Sequence, residues 1–166
     1  LHMLDNIALN VKDWDDDEEI SAYLLKILNK EANDHTGNLY GIGHAVYSLS
    51  DPRNIIIRKF VELLSHEKGL DKEFALYSAV ERLAPQVISE HRKMYKGVSA
   101  NLEFYSGFVY SMLNIPEELF TPMFAVARIA GWSAHRLEEL CAATKIIRPA
   151  YTNITKRRDF IQMADR

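Results

Sequence analysis

Asp51-Pro52-Arg53-Asn54-Ile55-Ile56-Ile57-Arg58-Lys59-Phe60-Val61-Glu62-Leu63-Leu64-Ser65-His66-Glu67-Lys68-Gly69 is a helix written out with both of its ends. The aspartate can accept orphan N–H groups of the first turn. Proline at the first helical position gives up a donor that would have no partner there. Ile56, Phe60, Leu63 and Leu64 recur at helical spacing and predict the buried stripe. Gly69 supplies the C′ residue at which such a helix stops.

The same grammar repeats on either side. Downstream, Asp71 is the expected cap of a helix with Phe74, Tyr77, Val80 and Leu83 on its face, which Pro85 is expected to kink or divide. After Gly97, Asn101 is the cap of a helix carrying Tyr105, Phe108 and Met112, and Pro116 ends that pattern. Thr121-Pro122 opens the last long helix, to about Ala143. Upstream, Asp15-Asp16-Asp17-Glu18-Glu19 places negative charge where the helix dipole favours it, and Ile20, Leu24, Ile27 and Leu28 predict helix from about Asp16 to Glu31. The acidic run could instead bind a metal, but the EF-hand loop spacing is absent. From His35 to Ser50 the periodicity fails, and Gly37, Gly41 and Gly43 mark a loop. There is no alternating strand pattern, internal repeat or low-complexity segment. The expected fold is all-α, with no substantial sheet.

Composition bounds the function. The chain has 166 residues, 26% charged and 48% hydrophobic, which places it among globular domains rather than disordered chains. Twenty basic residues against 23 acidic ones give a net charge of -3, so there is no electrostatic case for nucleic-acid binding. A single cysteine, Cys141, cannot form an internal disulfide and fits a reducing, cytoplasmic compartment. The longest apolar run, Met123 to Ala134, is broken by Arg128 and is too short for a membrane span. Leu1-His2-Met3 is no signal peptide and reads as a cloning scar.

Three segments depart from plain amphipathic helix, and departures of this kind are where function is sought. In Tyr40-Gly41-Ile42-Gly43-His44-Ala45-Val46-Tyr47, alternate glycines allow close backbone approach to a ligand, and His44 is either a structural residue or a catalyst. It is not a dinucleotide fingerprint, because no strand precedes it and the third glycine is missing. In the apolar run Phe124 to Trp132, Arg128 requires a carboxylate from the protein or from a ligand. Trp132 and His135 follow on the same face. In Asn101-Leu102-Glu103-Phe104-Tyr105-Ser106-Gly107, Glu103 lies in a first turn, as a cap or as a base. The dipole favours its charge while aromatic neighbours oppose it.

Taken together the segments resemble the C-terminal part of citrate synthase. Gly41 to Tyr47 followed by Asp51-Pro52-Arg53 is similar to the family's G-[FY]-G-H-x-V-[YL] loop and its D-P-R. Asn101 to Gly107 resembles N-V-D-[FY]-Y-S-G. Arg128-Ile129-Ala130-Gly131-Trp132-Ser133-Ala134-His135 resembles R-x-x-G-W-x-A-H, and Ile147-Arg148-Pro149 resembles the closing x-R-P. The motifs stand in family order and cover about Asp13 to Tyr151.

The resemblance implies an acyltransferase that condenses acetyl-CoA with oxaloacetate to give citrate and CoA. It implies His44 as the proton donor to the oxaloacetate carbonyl and Glu103, where the family has aspartate, as the base. Arg53, Arg128 and Arg148 would hold the dicarboxylate, the last from the other subunit of a homodimer, and Gly41, Ile42 and Gly43 would recognise CoA. No metal, tightly bound cofactor, nucleic acid or membrane is implied. The residue types suit the chemistry: proton abstraction beside a thioester needs a placed base, and two carboxylates need planar charged forks. Residues 13–120 are expected to form the small, CoA-binding domain, after an arm at 1–12. Residues 121–166 are expected to return to a large domain that is absent, as in an excised C-terminal fragment that is inactive alone. Rival readings are 2-methylcitrate synthase, using propionyl-CoA, and a non-catalytic CoA-binding or interaction module.

Overall fold

The computed structural model describes residues 1–93 and 97–142; Arg148 and the basic patch Lys156-Arg157-Arg158 lie outside the described residues. Six α-helices make up the described fold: α1 His2–Asn10, α2 Asp17–Leu28, α3 Pro52–Lys68, α4 Asp71–Arg92, α5 Leu102–Met112 and α6 Phe120–Ala142. A single 3-10 turn, Glu117–Leu119, leads into α6. The only strand-like pairing among the described residues is an isolated antiparallel bridge between Ile42 and Ala100. The fold is all-α. The chain divides into two compact units, Leu1–Met123 and Phe124–Arg166.

In the first unit α3 packs on α5 and α4, and α2 packs on α4. The local chemistry of each helix start explains these elements. Asp16 accepts from the N–H groups of Glu18 and Glu19 at 2.8 and 3.2 Å, and Ile20, Leu24, Ile27 and Leu28 are all buried behind it. The acidic run therefore caps α2, and Glu19 also reaches back to the N–H groups of Lys12 and Asp13, both at 3.0 Å. Asp51 accepts from Arg53 N–H at 3.0 Å, and Gly69 ends α3 in the left-handed region, φ 70°. Asn101 caps α5 through Glu103 N–H at 3.0 Å. Tyr77 of α4 stacks on Phe108 of α5 with ring centroids 4.5 Å apart, and Tyr105 is fully buried between α4 and α3.

At four places the structure departs from the sequence reading or sharpens it. Of the stripe assigned to α3, Ile56, Phe60 and Leu63 face solvent, 60–70% exposed, while Leu64 packs against the core, and the fully buried side carries Asn54, Val61 and Ser65. A polar pairing with α4 turns Asn54 inward and fixes that face. Pro85 neither ends nor divides α4. Leu83, Ala84 and Ile88 are buried on either side of it, and that packing outweighs one lost backbone bond. Asp71 does not cap α4; it pairs with His66 Nδ1 at 3.0 Å. Residues 2–10 form a helix, with Met3, Leu4 and Ile7 in the core.

In the second unit α6 runs on to Ala142, with Val126, Ile129, Trp132, Leu137 and Leu140 each more than half exposed.

Candidate active site

The glycine loop is held against the start of α5 from both sides. Gly43 N–H donates to Ser99 O at 2.8 Å, and Asn101 N–H donates to Gly41 O at 2.9 Å. Asn101 Nδ2 donates to Gly43 O at 2.9 Å while its Oδ1 caps the helix, so one amide ties loop and helix together. Gly41 has φ 81°, and a Cβ on it would lie 2.8 Å from Phe104 Cα. Glycine at 41 is therefore demanded by the close approach of α5, whatever else the loop binds. Gly41 O, Gly43 N–H and Gly43 O are all engaged in this clip.

The clip delivers His44 to the start of α3. Its Nδ1 lies 3.0 and 3.2 Å from the N–H groups of Val46 and Tyr47, so Nδ1 is the acceptor. The neutral ring then carries its proton on Nε2. Nε2 sits 3.3 Å from Arg53 Nη2. Two donors face one another there, so that contact does not satisfy either of them. They converge on the same small space, which an acceptor oxygen would complete.

Arg53 is held by its own helix cap. Asp51, 1% exposed, takes Arg53 Nε at 3.0 Å and Nη2 at 2.7 Å. These bonds hold the Asp51 carboxyl down at about 2, against the cost of its burial. The guanidinium also lies 5.7 Å from the centroid of the Tyr47 ring, which stacks obliquely on His44. Glu103 is exposed in the first turn of α5, and its charge bears on Arg53. His44, Arg53 and Glu103 thus share one neighbourhood, with Gly41, Ile42 and Gly43 beneath it.

Arg128 is exposed on α6 of the second unit, where Nη1 donates to Phe124 O at 3.3 Å and the guanidinium lies 4.7 Å from the Phe124 ring centroid. The carboxylate partner expected for a buried guanidinium is not among these contacts, because the helix face is exposed. Nearby, His135 faces Glu138 at 3.8 Å and Arg136 pairs with Glu139 at 2.8 Å. Arg148 lies outside the described residues. Asp51 and Asn101 each have a second role beyond capping that their cap positions do not reveal, as counter-charge to Arg53 and clip to Gly43. An aspartate two residues before an arginine at a helix start was the available signal for the first.

The family model of the citrate synthase C-terminal domain matches residues 1–150. The chain belongs to the citrate synthase family. It is 39% identical over 133 residues to the citrate synthase of Synechocystis, a match covering 80% of this chain and 30% of that one. It is 32% identical over 150 residues to the 2-methylcitrate synthase of Shewanella oneidensis, covering 89% of this chain and 36% of that one. Among solved structures, it is similar to the citrate synthase of Thermoplasma acidophilum in ternary complex with carboxymethyl coenzyme A and oxaloacetate, with TM-score 0.64 and 27% identity.

 That match covers 98% of this chain and 41% of that one. The chain spans about a third of the length of the curated citrate synthases it matches.

Proposed function

We propose that this chain is the small-domain part of a citrate synthase-type acyltransferase, condensing acetyl-CoA with oxaloacetate to give citrate and CoA. The observation that carries the proposal is the pair of donors, His44 Nε2 and Arg53 Nη2, converging 3.3 Å apart beside a carboxylate at the start of α5. A 2-oxo dicarboxylate offers a carbonyl oxygen for the imidazole and a carboxylate for the guanidinium N–H groups that Asp51 does not take. Glu103 takes a methyl proton from the thioester, and the resulting enolate carbon attacks the ketone carbon of oxaloacetate. As the carbon–carbon bond forms, the carbonyl electron pair moves to oxygen, which takes the Nε2 proton of His44. Water then cleaves the thioester, releasing citrate and CoA thiol.

Arg128 and Arg148 complete the dicarboxylate site in this reading, Arg148 from the second subunit of a homodimer in the cytoplasm. Residues 41–43 contact CoA. A second histidine, polarising the thioester carbonyl, belongs to a large domain, so this chain alone is inactive. The likeness to the 2-methylcitrate synthase of Shewanella oneidensis supports propionyl-CoA as a second acyl donor. One methylene is worth roughly 1–3 kcal/mol of discrimination in an apolar pocket. Thiol release by the whole protein, with acetyl-CoA and with propionyl-CoA in the presence of oxaloacetate, tests the proposal. Thiol release above background by the 166-residue chain alone, or none by the whole protein with either substrate, contradicts it.

A further inference from the structure

The start of α3 carries Arg53 and the start of α5 carries Glu103, but neither residue reaches across to fix the other. A carboxylate on α4 does that from behind. Glu81 accepts from Asn54 Nδ2 on α3 at 2.6 Å and from the Tyr105 hydroxyl on α5 at 2.7 Å. Its second oxygen also pairs with Arg58 Nε, one turn further along α3, at 3.2 Å. Asn54 is the residue after Arg53 and Tyr105 stands two residues after Glu103. Asn54 is 4% exposed and Tyr105 is fully buried, so neither has bulk water as an alternative partner.

The chemistry of the hub is specific. A carboxylate accepts only, so the Asn54 amide must turn its NH2 toward Glu81, and the Tyr105 hydroxyl must donate. Burial and the Glu81 carboxylate together push the Tyr105 hydroxyl pKa up and keep it a donor. A buried network of this kind is strong when complete and costly when one member is lost. None of the three bonds is a helix cap, and each holds α3 or α5 to α4.

We infer that Glu81 is a positioning residue for the condensation site, setting Arg53 against Glu103 by anchoring the first turns of α3 and α5 to α4. This rests on the function proposed above. Glutamine at 81 keeps the shape but presents an NH2 where an oxygen accepted, facing either the Asn54 amide or the Tyr105 hydroxyl. Arg58 loses its counter-charge as well.

The test compares Glu81→Gln with Val80→Ala, which removes a fully buried neighbour on α4 without touching the network. In the 166-residue chain, the Arg53 Nε–H and His44 ring nitrogen resonances should move in Glu81→Gln and stay in place in Val80→Ala at a similar loss of melting temperature. In the whole protein, Glu81→Gln should lower kcat/KM for oxaloacetate by at least about tenfold, with KM for acetyl-CoA within about threefold, since misplacement below 1 Å acts on this scale. Unmoved Arg53 and His44 resonances in a folded Glu81→Gln chain overturn the inference. If Glu81→Gln does not fold, Tyr105→Phe, which removes one bond and keeps the ring, is judged by the same resonances. A wild-type whole protein without turnover overturns the proposed function and leaves the resonance result standing.

Discussion

Replacing Gly41 by alanine should be much more damaging than replacing Gly69, although both glycines are left-handed, with φ 81° and 70°. At Gly69 no heavy atom lies within 4 Å of the added Cβ, so only the backbone penalty remains, about 1 kcal/mol. At Gly41 the Cβ would meet Phe104 Cα at 2.8 Å and Phe104 Cβ and Cδ2 at 3.0 Å, against an ordinary carbon contact of about 3.5–4.0 Å. The nearest atom is helix backbone and cannot rotate away. The loop must retreat from α5, straining the Asn101 N–H to Gly41 O bond of 2.9 Å. Overpacking adds roughly 1–3 kcal/mol and a weakened bond about 1, giving about 3–5 kcal/mol in all. Urea unfolding followed by far-UV circular dichroism, with equal slopes required, measures both variants. A gap of at least about 2 kcal/mol between them is expected. Equal destabilisation of the two would refute the claim that glycine at 41 is set by contact with α5.

Asp51 makes stability acid-sensitive. Its folded pKa of about 2 lies below the unfolded value, so its contribution, about 1–2 kcal/mol after allowing for the part-exposed Arg53, is complete above about pH 4 and lost as pH falls through about 2. Urea midpoints measured between pH 5 and 2 should show this step, and Asp51→Asn should remove it. Asn101→Ala loses both the α5 cap and the bond to Gly43 O, at about 2 kcal/mol, whereas Asn101→Asp keeps the cap and should cost about half as much. Thermal melts of the two variants check this. The exposed apolar residues of α6, Val126, Ile129, Trp132, Leu137 and Leu140, should make the chain self-associate with concentration, as read by sedimentation velocity. A monomer at high concentration would count against that surface.

What the sequence reveals divides along a physical line. The starts of α2, α3 and α5 and the end of α3 were legible because a cap and its target lie within a few residues. The core faces of α2 and α5 were legible because their apolar residues share one side. The face of α3 was not, since its isoleucines and leucines occur on more than one side. The choice among them is made by Glu81 on α4, 27 positions from Asn54. At Pro85 the local cost was visible, while the packing that keeps α4 undivided was not. In the site, motif spacing singled out His44, Arg53 and Glu103, but the proton position on His44 depends on Val46 and Tyr47 N–H geometry that no spacing encodes. Arg128 had a local signal, charge within an apolar run, and that run proved to be an exposed face.

The central claim is that Glu103 is the base of a condensing site and not only the first-turn residue of α5. Turnover of Glu103→Gln and Glu103→Asp in the whole protein, measured as CoA thiol release from acetyl-CoA and oxaloacetate, tests it directly. Glu103→Gln should fall at least about a hundredfold, because the amide keeps the shape but cannot take the proton, while Glu103→Asp should keep or raise the rate. Glu103→Gln turning over as fast as the wild type would contradict the claim.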